Sequence, residues 1–253
     1  MKVLASYNIK GGVGKTAAAV NLGVLAARDG FRTLLWDLDP QGAASFLLRV
    51  RPKVKGGGRK LVSGRSDLPD LLRGSDVEGL DLLPADFSYR HLDLALDGTK
   101  RRTRQLAAVL APLAEHYDLV VVDCQPAISL VSESVFDAAD GLVVPLIPST
   151  LSLRTFEQLL GYVRTEVERP PEIVAFFSMV DGRKKLHRDV MAQLPVDHPE
   201  ATSIAIPAAT EVELMGTRRR AVVDSAPRSR AAQAYGELWT ELRTRFALQP
   251  QHL

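Results

Sequence analysis

A single cysteine, Cys124, occurs in the 253 residues. A lone thiol excludes a disulfide framework and a cysteine-built zinc cluster, so a reduced, cytosolic setting is the expectation. No run of about 18 apolar residues is present to cross a bilayer. The first apolar run, 3–7, is too short for a signal peptide and leads directly into glycines. There is no Pro/Gly/Ser-rich linker and no internal repeat, so one domain over 1–253 is expected. A dominant charge is also missing: Lys+Arg 32 against Asp+Glu 30 gives +2, and any basic surface must come from local clustering. With 46% hydrophobic and 25% charged residues, a disordered chain is excluded.

Short apolar runs alternate with segments of helical spacing. Residues 3–7, 33–36, 80–83, 119–122, 142–144, 173–177 and 203–206 read as strands, several of them apolar throughout, as in strands covered on both faces. Residues 16–28, 104–116, 151–167 and 188–194 read as helices. This alternation predicts an α/β fold with a mostly parallel central sheet and helices on both faces. Ala231, Ala234, Tyr235, Leu238, Trp239, Leu242 and Phe246 share one helical face, so a last helix at about 229–246 is expected to dock on the sheet. Residues 49–60 carry six basic residues and no acidic one, and their triple glycine reads as a mobile basic loop reaching to about residue 66.

The chemistry concentrates in Asn8-Ile9-Lys10-Gly11-Gly12-Val13-Gly14-Lys15-Thr16, between the first strand and the first helix. Glycines there let backbone N–H groups turn toward phosphate oxygens, and the helix N-terminus adds positive potential. Lys15 would reach the β- and γ-phosphates and the Thr16 hydroxyl would ligate Mg²⁺. The common phosphate-loop pattern wants glycine at position 9, where Ile9 stands, and an additional lysine appears at position 10. Lys10 has two readings: a solvated loop residue, or a charge projecting across the nucleotide toward a second subunit. Spacing does not choose between them. Asp123 follows four apolar residues and so emerges at the carboxyl end of a buried strand, where a carboxylate can hold Mg²⁺ through water. Asp37 and Asp39 leave the second strand two residues apart.

These motifs resemble the ParA/MinD family of deviant Walker-A ATPases, whose loop reads K-G-G-x-G-K-[ST]. Asp37-Leu38-Asp39-Pro40-Gln41-Gly42 is similar to the family's switch I, and residues 119–126 to its Walker B and switch II. Residues 178–181, Ile206-Pro207 and 227–231 resemble the adenine-flanking segments and the start of the last helix. The likeness runs from Lys2 to about Phe246 and is greatest to short ParA proteins without an amino-terminal DNA-binding domain.

The resemblance implies hydrolysis of ATP to ADP and phosphate with Mg²⁺, slow until a partner stimulates it. It places the nucleotide on Lys10, Gly11, Gly12, Val13, Gly14, Lys15, Thr16 and Ala17, with Met179, Asp181 and Pro207 around the base. It makes Lys10, Lys15 and Asp39 catalytic, with Asp39 positioning the attacking water, Asp37 supporting the metal shell, and Thr16, Asp39 and Asp123 as the metal set. Lys10 would cross a face-to-face homodimer to the other subunit's nucleotide. A cytoplasmic, nucleoid-associated partition or positioning role follows, with nonspecific DNA bound in the ATP state and a ParB-like protein or cargo adaptor as the stimulating partner. Arg218, Arg219, Arg220, Arg228 and Arg230 are candidate DNA contacts, as is the 49–60 loop.

Three departures bear on that picture. Gln125 stands where the family has a proline, Ala208-Ala209-Thr210-Glu211 where arginines often follow, and Asp224 where a basic residue is frequent. The alternatives are a MinD-like membrane-associated ATPase, for which residues 246–253 are short and interrupted by Pro250, and a ParA-like regulator that binds no DNA. Metal delivery would need a cysteine pair, which the chain lacks.

Overall fold

A computed structural model describes residues 1–99 and 101–250. Eight strands form one sheet: β1 (Lys2–Ser6), β2 (Thr33–Asp37), β3 (Arg73–Gly74), β4 (Leu80–Leu83), β5 (Leu119–Asp123), β6 (Gly141–Leu146), β7 (Glu172–Val180) and β8 (Ala201–Pro207). Their order is β3-β4-β2-β5-β1-β6-β7-β8, parallel throughout except for the short antiparallel pair β3–β4. The helices are α1 (Lys15–Arg28), α2 (Ala43–Leu47), α3 (Gly57–Val62), α4 (Leu92–Asp97), α5 (Gln105–Leu110), α6 (Leu130–Ala138) and α7 (Thr150–Glu166). They continue with α8 (Lys185–Asp197), α9 (Thr210–Glu213), α10 (Met215–Arg218), α11 (Val222–Ser225) and α12 (Arg230–Arg245).

The apolar strands are buried on both sides because side chains alternate faces along each strand. Val3, Ala5 and Tyr7 enter one core layer with Trp36, Val120, Val122 and Phe136, while Leu4, Leu35, Leu119 and Val121 enter the opposite layer. That second layer is closed by α1 and α12 through Leu22, Tyr235, Leu238 and Trp239. Trp239 also donates from its indole nitrogen to Asp29 Oδ2 at 2.7 Å, fastening α12 to the end of α1. Full burial of each such side chain contributes about 1.5–3 kcal/mol, so the two layers supply most of the drive for folding.

This architecture positions a site. From β1 the chain passes through α1 to β2 on one side, whereas β5 leads through α6 to β6 on the other. Ligands of open parallel sheets settle at the carboxyl ends of strands where the connections diverge in this way.

Two readings of the sequence require correction. Residues 49–66 are not loop throughout: α3 forms within them, and Val54, Leu61 and Val62 are buried. Gly58 makes this possible, since a Cβ there would come within 2.7 Å of Leu92 and Tyr89. Residues 104–116 are not one helix either, because α5 ends at Leu110 and a 3-10 turn, Ala111–Leu113, follows with Pro112 inside it. Proline removes an N–H that a continuing α-helix would need.

Candidate nucleotide site

The loop after β1 is wound tightly and buttressed from beneath. Asn8 donates from Nδ2 to the Pro145 carbonyl at 2.8 Å, and its Oδ1 accepts the Lys10 N–H at 2.8 Å. One asparagine thereby ties the loop to the end of β6. Gly14 caps α1 at φ 96°, a left-handed conformation that disfavours a side chain. A Cβ at Gly14 would also lie 2.9 Å from Ser178 Oγ, so the end of β7 closes against the loop. The Ser6 hydroxyl donates to the Lys15 carbonyl at 2.9 Å and fixes the first turn of the helix.

Lys15 is buried, and its ammonium donates to the Lys10 carbonyl at 3.0 Å. Burial lowers its pKa, and the Asp123 carboxylate acts in the opposite sense. The side chain of Lys10 is half-exposed, with no hydrogen bond or ion pair to its ammonium among the described residues. Gly11 and Gly12 are exposed, Val13 is buried, and Thr16 and Ala17 are half-buried in the first turn of α1.

Three carboxylates meet the loop in different surroundings. Asp123 ends β5 opposite Ser6 of β1, wholly buried, and neither carboxylate oxygen has a hydrogen-bond partner among the described residues. Burial pushes its pKa well up, the nearby Asp37 adds to this, and the Thr16 hydroxyl and Lys15 charge oppose it. An orphaned buried carboxylate is costly unless a cation shares the space. Asp123 beside the Thr16 hydroxyl therefore fits Mg²⁺, which takes few protein ligands and completes its shell with water and phosphate. No cluster of three or more metal-ligating His, Cys, Asp or Glu residues exists among the described residues.

Asp37 ends β2 and is buried, its Oδ2 accepting from Ser45 N at 2.7 Å and Ser45 Oγ at 2.6 Å. Burial raises its pKa to about 6, against the pull of the Ser45 hydrogen bonds. Asp39 is half-exposed beyond the strand end, and its Oδ1 accepts from Gln41 N at 2.9 Å. The two carboxylates thus divide: Asp37 turns inward to α2, and Asp39 stays at the rim. Ser45 carries no motif signal, and only the fold reveals its part. Cys124 is buried, with its thiol pKa pushed well up by burial, and is not a reactive group.

Met179, Asp181 and Pro207 come together at the other side of the loop. β7 pairs with β8 through Val180 and Pro207, and Ala208 N donates to the Val180 carbonyl at 2.9 Å. Met179 is exposed at φ 54°. Asp181 is gripped by Arg183 through Nε and Nη2, both at 3.0 Å, which holds its carboxyl down at about 2. Its backbone N–H donates to Nδ1 of His187 at 3.1 Å, a buried histidine that belongs to no sequence motif.

The arginines of the carboxy-terminal region lie elsewhere. Arg219, at φ 49°, stacks its guanidinium 4.5 Å over the Phe46 ring and donates to the Phe46 carbonyl at 2.8 Å. Arg218, Arg220, Arg228 and Arg230 are exposed. Asp224 pairs with Arg28. A separate cleft of about 700 Å³ lies beside this region at the amino ends of the strands, lined by Phe31, Gly79 and Arg220 among others, away from the phosphate loop.

A family model described as an AAA domain matches residues 1–172. The sporulation initiation inhibitor protein Soj of Bacillus subtilis is 29% identical over 247 residues, covering 95% of this chain and 98% of Soj. The chromosome partitioning protein ParA of Caulobacter vibrioides is 32% identical over 200 residues, covering 75% of this chain and 74% of that protein. Among solved structures, cobyrinic acid a,c-diamide synthase from Mycobacterium smegmatis with bound ADP and magnesium aligns with TM-score 0.82 and 26% identity, over 100% of this chain and 99% of that one. The phosphate loop, its two buried carboxylates and these likenesses agree, and the chain belongs to the ParA/MinD family of P-loop ATPases.

Proposed function

We propose that this protein is a partition or positioning ATPase that closes as a homodimer around ATP and Mg²⁺, binds nonspecific DNA in that state, and is released when a partner protein stimulates hydrolysis. The observation that carries the reading is Lys10, a cation at the rim of the phosphate loop without an intramolecular partner among the described residues. Such a charge is free to meet the phosphates of a second subunit, the role its position has in the family.

The remaining groups support the same chemistry. The N–H groups of residues 11–17 and the Lys15 ammonium would bind the β- and γ-phosphates, and the β7–β8 turn with Met179, Asp181 and Pro207 would border the adenine. Thr16, Asp123 and Asp39 would hold Mg²⁺, which would supply charge neutralisation at the phosphoryl group. Asp39, at the rim and hydrogen-bonded only to its own loop among the described residues, would orient the attacking water. Phosphoryl transfer asks for positioning and charge stabilisation rather than covalent catalysis, which suits this set. A turnover that is slow until stimulated fits a switch that must persist. The membrane-associated alternative is disfavoured by Phe246 and Leu248, which are buried in the core and not presented outward.

Light scattering with Mg²⁺ and a non-hydrolysable ATP analogue tests the proposal. The parent chain is expected to run as a dimer, and Lys10→Ala as a monomer that still binds the analogue. A parent that stays monomeric, or a Lys10→Ala variant that dimerises equally, overturns it.

A further inference from the structure

Between Asp39 and Asp67 lie 27 residues with seven basic side chains and no acidic one. This strap begins in switch I and is anchored, not loose. Val54 N donates to Asp86 Oδ2 at 2.9 Å, Gly58 N to Ser88 Oγ at 2.8 Å, and Leu61 and Val62 of α3 are buried. The charges point the other way. Arg51, Lys53, Lys55, Arg59, Lys60 and Arg65 are all exposed, and none forms an ion pair among the described residues. The Lys53 charge helps the Ser88 and Val54 hydrogen bonds to lower the pKa of Asp86. Arg49 pairs with exposed Asp76 at 3.1 Å.

The carboxy-terminal arginines are differently placed. Residues 211–241 hold five basic and five acidic residues, so that stretch is neutral. Arg219 is committed to Phe46, and Asp224 draws in Arg28. Unbalanced, exposed positive charge collects on the strap instead.

We infer that the strap at 49–65 is the polyanion-binding surface of this protein, that its occupant is the phosphate backbone of duplex DNA, and that it is joined to the nucleotide site through Ser45. The inference deepens the DNA-binding part of the function proposed above and rests on it. Binding of DNA without sequence preference needs an ordered row of cations and nothing more. An acidic protein partner would call for an apolar anchor among the charges. No large apolar side chain between 49 and 66 is exposed. Its backbone is also anchored at Val54 and Gly58, which lessens the ordering needed on contact.

Its link to the switch is short. Arg49 and Arg51 line an open cleft of about 640 Å³ with Gln41, Gly42, Phe46 and Arg219. Gln41 N–H binds Asp39, and Ser45 in α2 binds Asp37. A rearrangement of either carboxylate therefore acts on the base of the strap within a few residues, and DNA affinity should depend on which nucleotide is bound.

The test uses the full chain with Mg²⁺ and a non-hydrolysable ATP analogue, titrated against a fluorescent random-sequence duplex at several salt concentrations. Three variants are compared with the parent: R51A/K53A/K55A/R59A/K60A, the milder K53Q/K55Q, and R220A/R228A/R230A. Nucleotide affinity measured in parallel reports that each is folded. The strap variant is expected to bind duplex at least about tenfold more weakly at low salt. Its log–log salt slope should be shallower by up to about 4.5, at roughly 0.9 for each phosphate left without its cation. The milder variant should lose up to about 2 in slope, and the carboxy-terminal variant should bind within about threefold of the parent. Duplex binding by the parent with loss only in the carboxy-terminal variant overturns the strap assignment and leaves the DNA reading standing. No duplex binding by the parent overturns both. Strap-dependent binding to polyglutamate in place of duplex would reassign the surface to an acidic protein and overturn the nucleic-acid occupant.

Discussion

Ser45 holds Asp37 twice. Its backbone N–H and its hydroxyl both donate to Asp37 Oδ2, at 2.7 and 2.6 Å, and its Oγ accepts the Ala85 N–H at 2.9 Å. One small side chain therefore joins β2, α2 and the segment after β4 around a buried carboxylate. Ser45→Ala keeps the backbone bond, loses the other two and strands the Ala85 N–H. The expected loss is about 3–5 kcal/mol, since the lost hydrogen bond to a charged group contributes about 1.5–3 kcal/mol and the orphaned donor about 1–3 kcal/mol. Urea denaturation at pH 7 should show a lowered midpoint with an unchanged slope.

Asp37 itself opposes folding at neutral pH. Its pKa rises from the ordinary 3.8 to about 6 in the folded chain, because burial penalises the charged form. The folded state then binds the proton more tightly than the unfolded state, so this group's stabilisation is present below about pH 4 and is lost as pH rises through about 6. Asp37→Asn removes the titration while retaining an acceptor for Ser45. Variant and parent should match near pH 4, and the variant should become more stable by up to about 3 kcal/mol above pH 7, since each tenfold difference in proton affinity between the two states is worth about 1.4 kcal/mol. Denaturation midpoints of the nucleotide-free proteins across pH 4–8 check the sign.

Lys15 is the converse case, a buried charge that the proposed function assigns to the phosphates. Its ammonium is lined up on the Lys10 carbonyl at 3.0 Å, inside the curve of the loop. Lys15→Ala should weaken ATP binding roughly tenfold to a hundredfold, corresponding to a charge-assisted hydrogen bond of about 1.5–3 kcal/mol. Isothermal titration with Mg·ATP measures this directly, and an unchanged affinity would remove Lys15 from the phosphate site.

Much of this was open to a reading of the sequence, for identifiable reasons. The apolar runs that became β1, β2, β5 and β6 are covered on both faces, so their composition alone marked them. Gly12 and Gly14, both at positive φ, mark the tight turn between β1 and α1, because a side chain is disfavoured in that conformation. The rest depended on contacts between distant segments. β3 has two residues and no pattern of its own. The triple glycine at 56–58 suggested mobility, whereas Gly58 is small because Tyr89 and Leu92 press against it. Asp37 and Asp39 looked equivalent by spacing, and only Ser45, eight residues on, separates an inward carboxylate from one at the rim.

His187 gives the turn after β7 its geometry. Its Nδ1 accepts the Asp181 N–H at 3.1 Å, while Arg183 clamps the Asp181 side chain, so backbone and side chain of one residue are both fixed. Met179, two residues earlier, sits at positive φ, a conformation that persists only where its surroundings impose it. Loss of the Nδ1 acceptor should let the turn relax. His187→Leu is expected to weaken ATP binding about three- to tenfold, the worth of one neutral hydrogen bond. His187→Asn, whose Oδ1 takes the place of Nδ1, should restore most of it. Inorganic triphosphate, which lacks a base, discriminates a local role from general damage. Its affinity should be the same in all three proteins, and a parallel loss for triphosphate would mean that His187 supports the whole fold and not the turn.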